Sequence, residues 1–345
     1  MSHHITVVPS QRQFEAQSDE SVLMAAIRQG IGLPYGCKDG ACGSCKCKKV
    51  SGEVRMEAYQ AKALSDAERA EGLILTCRAH ALSDVVLESR QVVEAGAHPI
   101  RKMPARVANL DKLAPDVMRL RLQLPATEAV LYRAGQYVDV LLRSGDRRSY
   151  SMANAPHTVG SEQKLIELHV RHMPGGQFTD HVFNAMKEKE ILPIEGPFGS
   201  FFLREDSSRP MILLASGTGF APIKALLEHM DFMGLKRAAH LYWGGRRPQD
   251  LYLNDWIESF AKDHDWLTYT PVISDATAED QWTGRKGFVH KAVIEDHADL
   301  SGHEVYACGA PIVIESAKKD FAQQAGMDPD LFFADAFTSA ADQTS

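Results

Sequence analysis

Four cysteines set the strongest constraint on how this chain folds. Cys37, Cys42 and Cys45 form a C-x4-C-x2-C run, and Cys77 follows after 31 intervening residues. If these thiols converge, the 37–45 loop must wrap around a common point and the chain must return to it at Cys77. The spacing is that of a plant-type 2Fe–2S centre, two irons held by four thiolates. Gly36, Gly40 and Gly43 interrupt the loop, where glycine allows unusual backbone angles and close approach of N–H groups to sulfur. A structural zinc site would use two separated C-x2-4-C pairs. Only Cys42 and Cys45 have that spacing here, so zinc and chance stand as the alternatives. Cys47 is spare, and is expected to be a buried or partly exposed thiol.

The segment Met1–Thr6 lacks a basic region followed by an apolar run, so no secretory signal is expected. No stretch reaches the roughly 18 apolar residues of a membrane helix, and the expectation is a cytoplasmic protein without membrane contact. That disfavours a disulfide framework. The net charge of −7 argues against nucleic-acid binding. Charge steps from −1 over residues 1–98 to +3 over 99–205 and −9 over 206–345, as separate modules would show.

Three domains are expected: 1–95, 99–205 and 206–345. Val92 to Arg106, with Gly96, Pro99 and Pro104, reads as a linker. Beyond it, Val117–Leu122, Tyr137–Leu142 and Leu165–Val170 alternate like the strands of a small antiparallel barrel. The continuous apolar run Met211–Ala215 suits a buried parallel strand. A glycine turn and a helix from Ala221 to Met230 follow it, and Ala238–Trp243 and Glu304–Cys308 read as further strands of an α/β sheet.

Within the middle segment, Arg148-Ser149-Tyr150-Ser151 offers a planar cationic fork for phosphate oxygens and an aromatic face for a flat ring. Gly175-Gly176-Gln177-Phe178-Thr179 precedes a helix expected near Asp180, whose backbone N–H groups make an anion site. In the last segment, Ser216-Gly217-Thr218-Gly219 is shorter than the six-residue Rossmann fingerprint, so a standard dinucleotide fold is not expected. Pro222 suits the first turn of the helix that follows.

Tyr35-Gly36-Cys37-Lys38-Asp39-Gly40-Ala41-Cys42-Gly43-Ser44-Cys45, with Leu75-Thr76-Cys77, resembles the ferredoxin domain of ferredoxin-fused NAD(P)H reductases. These include reductase components of oxygenases and CDP-6-deoxy-glucoseen reductase. The later motifs resemble, in the same order, the FAD and nucleotide domains of the ferredoxin–NADP reductase superfamily. The implied fold is an α+β, β-grasp-like ferredoxin, an antiparallel FAD barrel and an α/β parallel-sheet nucleotide domain. The resemblance implies that Cys37, Cys42, Cys45 and Cys77 hold the cluster. It further implies that Arg148 and Thr179 take the FAD pyrophosphate, with Ser149, Gly176 and Gln177 beside them. Tyr150 would pack on the isoalloxazine, Ser151 would sit near its N5, and His169-Val170-Arg171 would border the adenine half. Gly217, Thr218 and Gly219 would let the nicotinamide cofactor lie against backbone, and Cys308-Gly309 would meet its reactive end, Cys308 near C4. Arg246 or Arg247 would meet a 2′-phosphate, a pyrophosphate or solvent, and NADH is favoured over NADPH. Phe198 is either core or a flavin contact. Phe337 would reach the flavin face, although eight residues follow it.

The implied activity takes hydride from NAD(P)H onto FAD and passes single electrons through the 2Fe–2S centre to a separate protein. An oxygenase component is the first expectation and a deoxysugar dehydrase the alternative. A non-catalytic redox sensor is the remote one, and a monomer is expected. Lys38, Lys46, Lys48 and Lys49 beside the cysteine loop either are solvated charges or steer an acidic acceptor face.

Overall fold

Strand Ser2–Val8 points Ile5 and Val7 inward, both fully buried. The computed structural model describes residues 2–94, 98–127, 130–160 and 164–338. Ile5 lies opposite Phe14 of the antiparallel strand Arg12–Gln17 and opposite Val85 of the parallel strand Val85–Glu88. Helix Val22–Arg28 starts where the Ser21 side chain accepts the Met24 N–H, and it buries Val22, Leu23, Ala25 and Ala26. Strands Lys46–Ser51 and Leu73–Leu75 complete a mixed five-stranded sheet. The sheet and its helix give the expected β-grasp-like ferredoxin architecture. Residues 199–201 and 335–338 cluster with this unit. There the Gly199 N–H donates to Tyr35 Oη at 2.8 Å, and the Tyr35 N–H donates to Ser200 Oγ at 2.8 Å.

The expected linker is shorter than its prolines suggested. Strand Arg101–Ala114 already contains Pro104, set opposite Pro193. An antiparallel ladder tolerates proline at positions whose N–H it does not use. Residues 95–97, Gly96 among them, lie outside the described set.

The second unit spans Ile100–Phe198 and Phe202–Ala334. In its first part six antiparallel strands run in the order Arg147–Ser151, Tyr137–Leu141, Ile191–Phe198, Arg101–Ala114, Val117–Gln123 and Leu165–Arg171. A bridge between Met152 and Leu168 joins the two ends, and the Ala153 N–H donates to Glu167 O at 2.7 Å. The sheet is thereby closed into the expected barrel, and closure leaves no open edge. Its interior holds Leu120, Leu122, Val140, Met152, Ile166, Leu168 and Val170, all essentially inaccessible. Phe198, 3% exposed, packs against Tyr137.

In the second part, Met211–Ser216, Ala239–Gly245, Leu267–Ile273, Arg285–Lys286 and Glu304–Gly309 make a parallel sheet. Its central strand Met211–Ser216 is apolar because neighbours cover both faces. The strand runs through the turn Gly217–Gly219 into helix Phe220–Phe232. Among the described residues, no helix is long and apolar enough to cross a membrane.

Gly52 has φ +89°, and a Cβ there would lie 2.2 Å from Asp84 O. Gly52→Ala should destabilise the first unit by at least about 1–3 kcal/mol, the cost of a strained backbone. All four tryptophans lie in the second unit. A urea titration should therefore show a far-UV dichroism change at lower urea than in the parent, with the tryptophan transition unmoved.

Candidate functional site

The four thiols of the first unit fall into two close pairs. Cys45 Sγ lies 3.2 Å from Cys77 Sγ. The Cys37 N–H points at Cys42 Sγ and the Cys42 N–H at Cys37 Sγ, each at 3.3 Å, and the Ser44 N–H reaches Cys42 Sγ at 3.5 Å. The hydrogen bond from Cys37 and these amides lowers the Cys42 pKa to about 6. No disulfide forms. Among the described residues, no three His, Cys, Asp or Glu side chains are arranged to hold one ion. Two pairs suit two irons with two thiolates each, where zinc would need one tetrahedron. The donor chemistry, the amides aimed at sulfur and the pairing fit a 2Fe–2S centre.

Backbone angle explains two of the loop glycines. Gly40 and Gly43 have φ +80° and +76°, and a Cβ on Gly43 would lie 2.8 Å from Ala63 O. Cys47 is buried on strand Lys46–Ser51, and burial pushes its thiol up to about 12. The loop lysines are partly committed to local structure. Lys46 pairs with Glu68 at 2.6 Å and Lys49 donates to Gly52 O at 2.8 Å, which leaves Lys48 the outward charge on that strand.

In the second unit, strand Arg147–Ser151 sets Arg148 and Tyr150 on one face and the exposed Ser149 on the other, by the period of two that pleating imposes. Tyr150 stands 5.3 Å from Phe178 in the first turn of helix Gln177–Asn184, and burial raises its pKa. The strand and the helix start thus come together. Gly176 caps that helix without a side-chain bond to its first amides, and free amides at a helix start are what an anion site uses. The Thr179 hydroxyl accepts from the Met173 N–H at 3.1 Å and donates to Met173 O at 2.9 Å. It pins the glycine turn. Gln177 is exposed and its Oε1 accepts from Ser144 Oγ. Ser151 is 5% exposed at the strand's end.

His169 is buried with both ring nitrogens engaged, Nδ1 at 2.9 Å from Tyr252 Oη and Nε2 at 2.9 Å from Glu167 Oε1. Its ring lies on the face opposite the barrel core, bonded to Glu167 of the same strand and to Tyr252. Val170 is in the barrel core, and Arg171 sits 3.1 Å from Asp116 and 3.3 Å from Asp250. Arg171 also lies over the nucleotide turn, since a Cβ on Gly217 would meet its Nη1 at 2.9 Å.

At that turn, a Cβ on Gly219 would lie 2.1 Å from Cys308 O, and one on Gly309 would lie 2.4 Å from Ser216 O. The glycine turn and the Cys308-Gly309 segment therefore pass backbone against backbone, with Thr218 between the two glycines. Cys308 itself is fully buried. Trp243 Nε1 donates to Gly217 O at 3.0 Å and stacks on Phe220 at 3.9 Å. Arg247 is held by Asp280 and Asp275 O, whereas the Arg246 side chain is exposed. Phe337 is half-buried in the first unit, and the residues from 339 onward lie outside the described set.

Sequence patterns missed a buried polar group beside the barrel closure. Lys224, 7% exposed, donates from Nζ to Glu228 Oε1 at 2.6 Å and to Ala153 O at 3.1 Å, and lies 3.5 Å from Glu167 Oε1. Burial works to raise the Glu167 pKa, but the His169 hydrogen bond and the Lys224 charge outweigh it and hold the group at about 2. A lysine between the apolar Ile223 and Ala225 on a buried helix was the available signal.

Family models match in three consecutive stretches: a 2Fe-2S iron-sulfur cluster binding domain over residues 5–82, an oxidoreductase FAD-binding domain over 104–203 and an oxidoreductase NAD-binding domain over 213–319. The chain is 40% identical over 339 residues to the CDP-6-deoxy-L-threo-D-glycero-4-hexulose-3-dehydrase reductase of Yersinia pestis, covering 98% of this chain and 99% of that protein. It is 34% identical to the reductase component of propane 2-monooxygenase from Gordonia sp., over 99% and 98% of the two chains. Among solved structures, the Amycolatopsis cytochrome P450 reductase GcoB matches with a TM-score of 0.78 and 33% identity, over 98% of this chain and 99% of that one.

Cys47→Ser should keep about two irons per chain, measured by iron analysis of the purified protein. Cys77→Ser should lose them. Iron loss in the first with retention in the second would reverse the ligand assignment.

Proposed function

This chain belongs to the ferredoxin-fused NAD(P)H reductases of the ferredoxin–NADP reductase superfamily, and on that premise we propose how its residues serve the reaction and where the electrons go. When bound, FAD takes a hydride from NAD(P)H, and the 2Fe–2S centre carries the electrons away singly. The reading assigns Cys37 and Cys42 to one iron and Cys45 and Cys77 to the other. Arg148 and the amides after Gly176 receive the FAD pyrophosphate, and Tyr150 lies against the ring with Ser151 at its edge. The strand His169–Arg171 backs the adenine half. Gly217, Thr218 and Gly219 take the nicotinamide dinucleotide against backbone, and Cys308 and Gly309 close over its reactive end. The chain's own work is to hold two flat rings in contact and exclude water, since positioning is the main contribution a protein makes to hydride transfer between bound cofactors. No proton-abstracting residue is required at this step.

The acceptor is a separate protein, and the reading favours an oxygenase component. The observation that carries it is coverage. The three cofactor domains follow one another over residues 5–319, and relatives matched over nearly their full length are named as reductase components of a propane monooxygenase and a terephthalate dioxygenase. A second reading, delivery to a sugar dehydrase, is favoured by the higher identity to the Yersinia reductase, 40% against 34% for the propane monooxygenase component. NADH is the proposed donor. If NADPH is used instead, Arg246, exposed just after strand Ala239–Gly245, would meet the 2′-phosphate. The protein is proposed to work as a cytoplasmic monomer that meets its acceptor transiently.

Two measurements test this. Anaerobic NADH should bleach the flavin absorbance of the parent and of Cys77→Ser, while only the parent passes electrons on to cytochrome c. Cytochrome c reduction by Cys77→Ser at the parental rate would remove the cluster from the path. NADH consumption should then accelerate with a purified oxygenase component and not with a 4-hexulose-3-dehydrase. The opposite response selects the second reading.

A further inference from the structure

The segment Ser151–Ala155 leaves the barrel directly after the Arg148–Ser151 motif and is fixed on one side by the barrel itself. The Ala153 N–H donates to Glu167 O at 2.7 Å, the Glu167 N–H donates to Asn154 Oδ1 at 2.8 Å, and Tyr132 Oη donates to Asn154 O at 2.8 Å. Two further backbone groups of the segment, the Ala153 carbonyl and the Ala155 N–H, are both met by one helix. Lys224 Nζ donates to Ala153 O at 3.1 Å, and Glu228 Oε2 accepts the Ala155 N–H at 3.0 Å. Lys224 and Glu228 are one turn apart on helix Phe220–Phe232 and bond each other at 2.6 Å. That helix starts at the glycine turn, and Lys224 stands five residues beyond Gly219, about 7.5 Å along the axis at 1.5 Å per residue.

We propose that Lys224, with Glu228, is a positioning residue for hydride transfer, locking the flavin-side segment Ser151–Ala155 in register with the helix that carries the nicotinamide-side glycine turn. The inference rests on the NADH-to-FAD reading above. Burying an ammonium beside two carboxylates is a poor way to stabilise a helix, because desolvation opposes the Coulombic gain and an apolar side chain of similar volume does as well or better. What the ion group adds is direction. Ile223, Ala225, Leu226 and Leu227 are fully buried around it, and apolar contacts of this kind tolerate sliding. An ammonium with Ala153 O, Glu228 Oε1 and Glu167 Oε1 about it has one satisfied arrangement. A slide of the helix would leave buried charges and the Ala155 amide without partners, a cost that apolar packing does not impose. Glu167 is tied in turn to His169, and His169 to Tyr252. The barrel strand, the nucleotide helix and the loop bearing Tyr252 therefore share one polar junction. Hydride transfer between two stacked rings is sensitive to displacements of about 1 Å, which can cost about 100-fold in rate.

The test compares the parent with Lys224→Met, Lys224→Arg and Glu228→Gln as full-length, FAD-loaded proteins. Single-turnover reduction of the flavin at rising NADH separates the limiting rate from half-saturation. Lys224→Met should keep one FAD per chain and half-saturation within about twofold, while the limiting rate falls about 100-fold. Lys224→Arg should recover most of that loss. A parental limiting rate in Lys224→Met, or a loss confined to half-saturation, overturns the proposal. So does an arginine variant no better than methionine. If Lys224→Met does not retain FAD, Glu228→Gln carries the comparison, and a parental limiting rate there overturns it. Amide exchange on FAD-free protein gives a readout independent of turnover. The Ala155 amide should exchange faster in Lys224→Met and Glu228→Gln than in the parent, and unchanged exchange defeats the docking claim. A parent that does not reduce its flavin with NADH defeats the functional reading instead, and the exchange result then decides this inference alone.

Discussion

The closure of the antiparallel barrel at Met152 and Leu168, reinforced by the Ala153 amide on Glu167 O, is the interaction on which the catalytic half depends. A six-stranded sheet left open there would expose two edges. It would also leave the Arg148–Ser151 strand held on one side only. Closing it fixes the Arg147–Ser151 strand and turns the chain at Ala153–Ala155 so that the Ala153 carbonyl and the Ala155 N–H meet the nucleotide helix. The nucleotide helix supplies matching groups at those points. Local strand pairing thus creates the surface that a later segment docks on.

A second constraint acts on backbone rather than side chains. Gly219 and Gly309 lie where any Cβ would strike a carbonyl at 2.1 and 2.4 Å. The sheet order, with Met211–Ser216 beside Glu304–Gly309, brings these two turns together at the strands' carboxyl ends. In open parallel sheets that is where ligands bind. The turn is shorter than a Rossmann fingerprint, yet the same physics applies, since unobstructed amides at a helix start favour phosphate.

The first unit solves a different problem with similar means. Its loop must present four sulfurs in two pairs and aim amides at them. The positive φ of Gly40 and Gly43 meets the backbone demand, and the Cys45–Cys77 approach ties the loop to the turn just after strand Leu73–Leu75. Cys47 lies two residues beyond Cys45 on a regular strand and is buried in the sheet's packing. Reactivity at this position is suppressed by that burial.

The residues that identify the chemistry were legible because their constraints are local. Cysteine spacing, the Arg148–Ser151 strand, the glycine turn and Cys308-Gly309 each depend on a few consecutive residues. The barrel and the parallel sheet follow from alternation or a continuous apolar run, while the sheet of the first unit was implied only by the resemblance its cysteine loop carries. Misreadings came where partners are distant. Pro104 read as linker because nothing nearby shows that Pro193 lies opposite it. That both ring nitrogens of His169 are engaged was not readable either, because Glu167 is two residues away but Tyr252 is 83 residues further on. The loop lysines read as free charge because Glu68 and the Gly52 carbonyl are brought in by folding. Lys224 escaped notice altogether: a lysine in an apolar helix gains meaning only when Ala153, Glu167 and Glu228 surround it. The linear order of residues determined which cofactors this chain is built for, since ligand type and turn chemistry are properties of short segments. The tertiary structure alone decided which polar groups are spent on each other and which are left to meet a ligand, because burial and hydrogen-bond satisfaction depend on segments far apart in the chain.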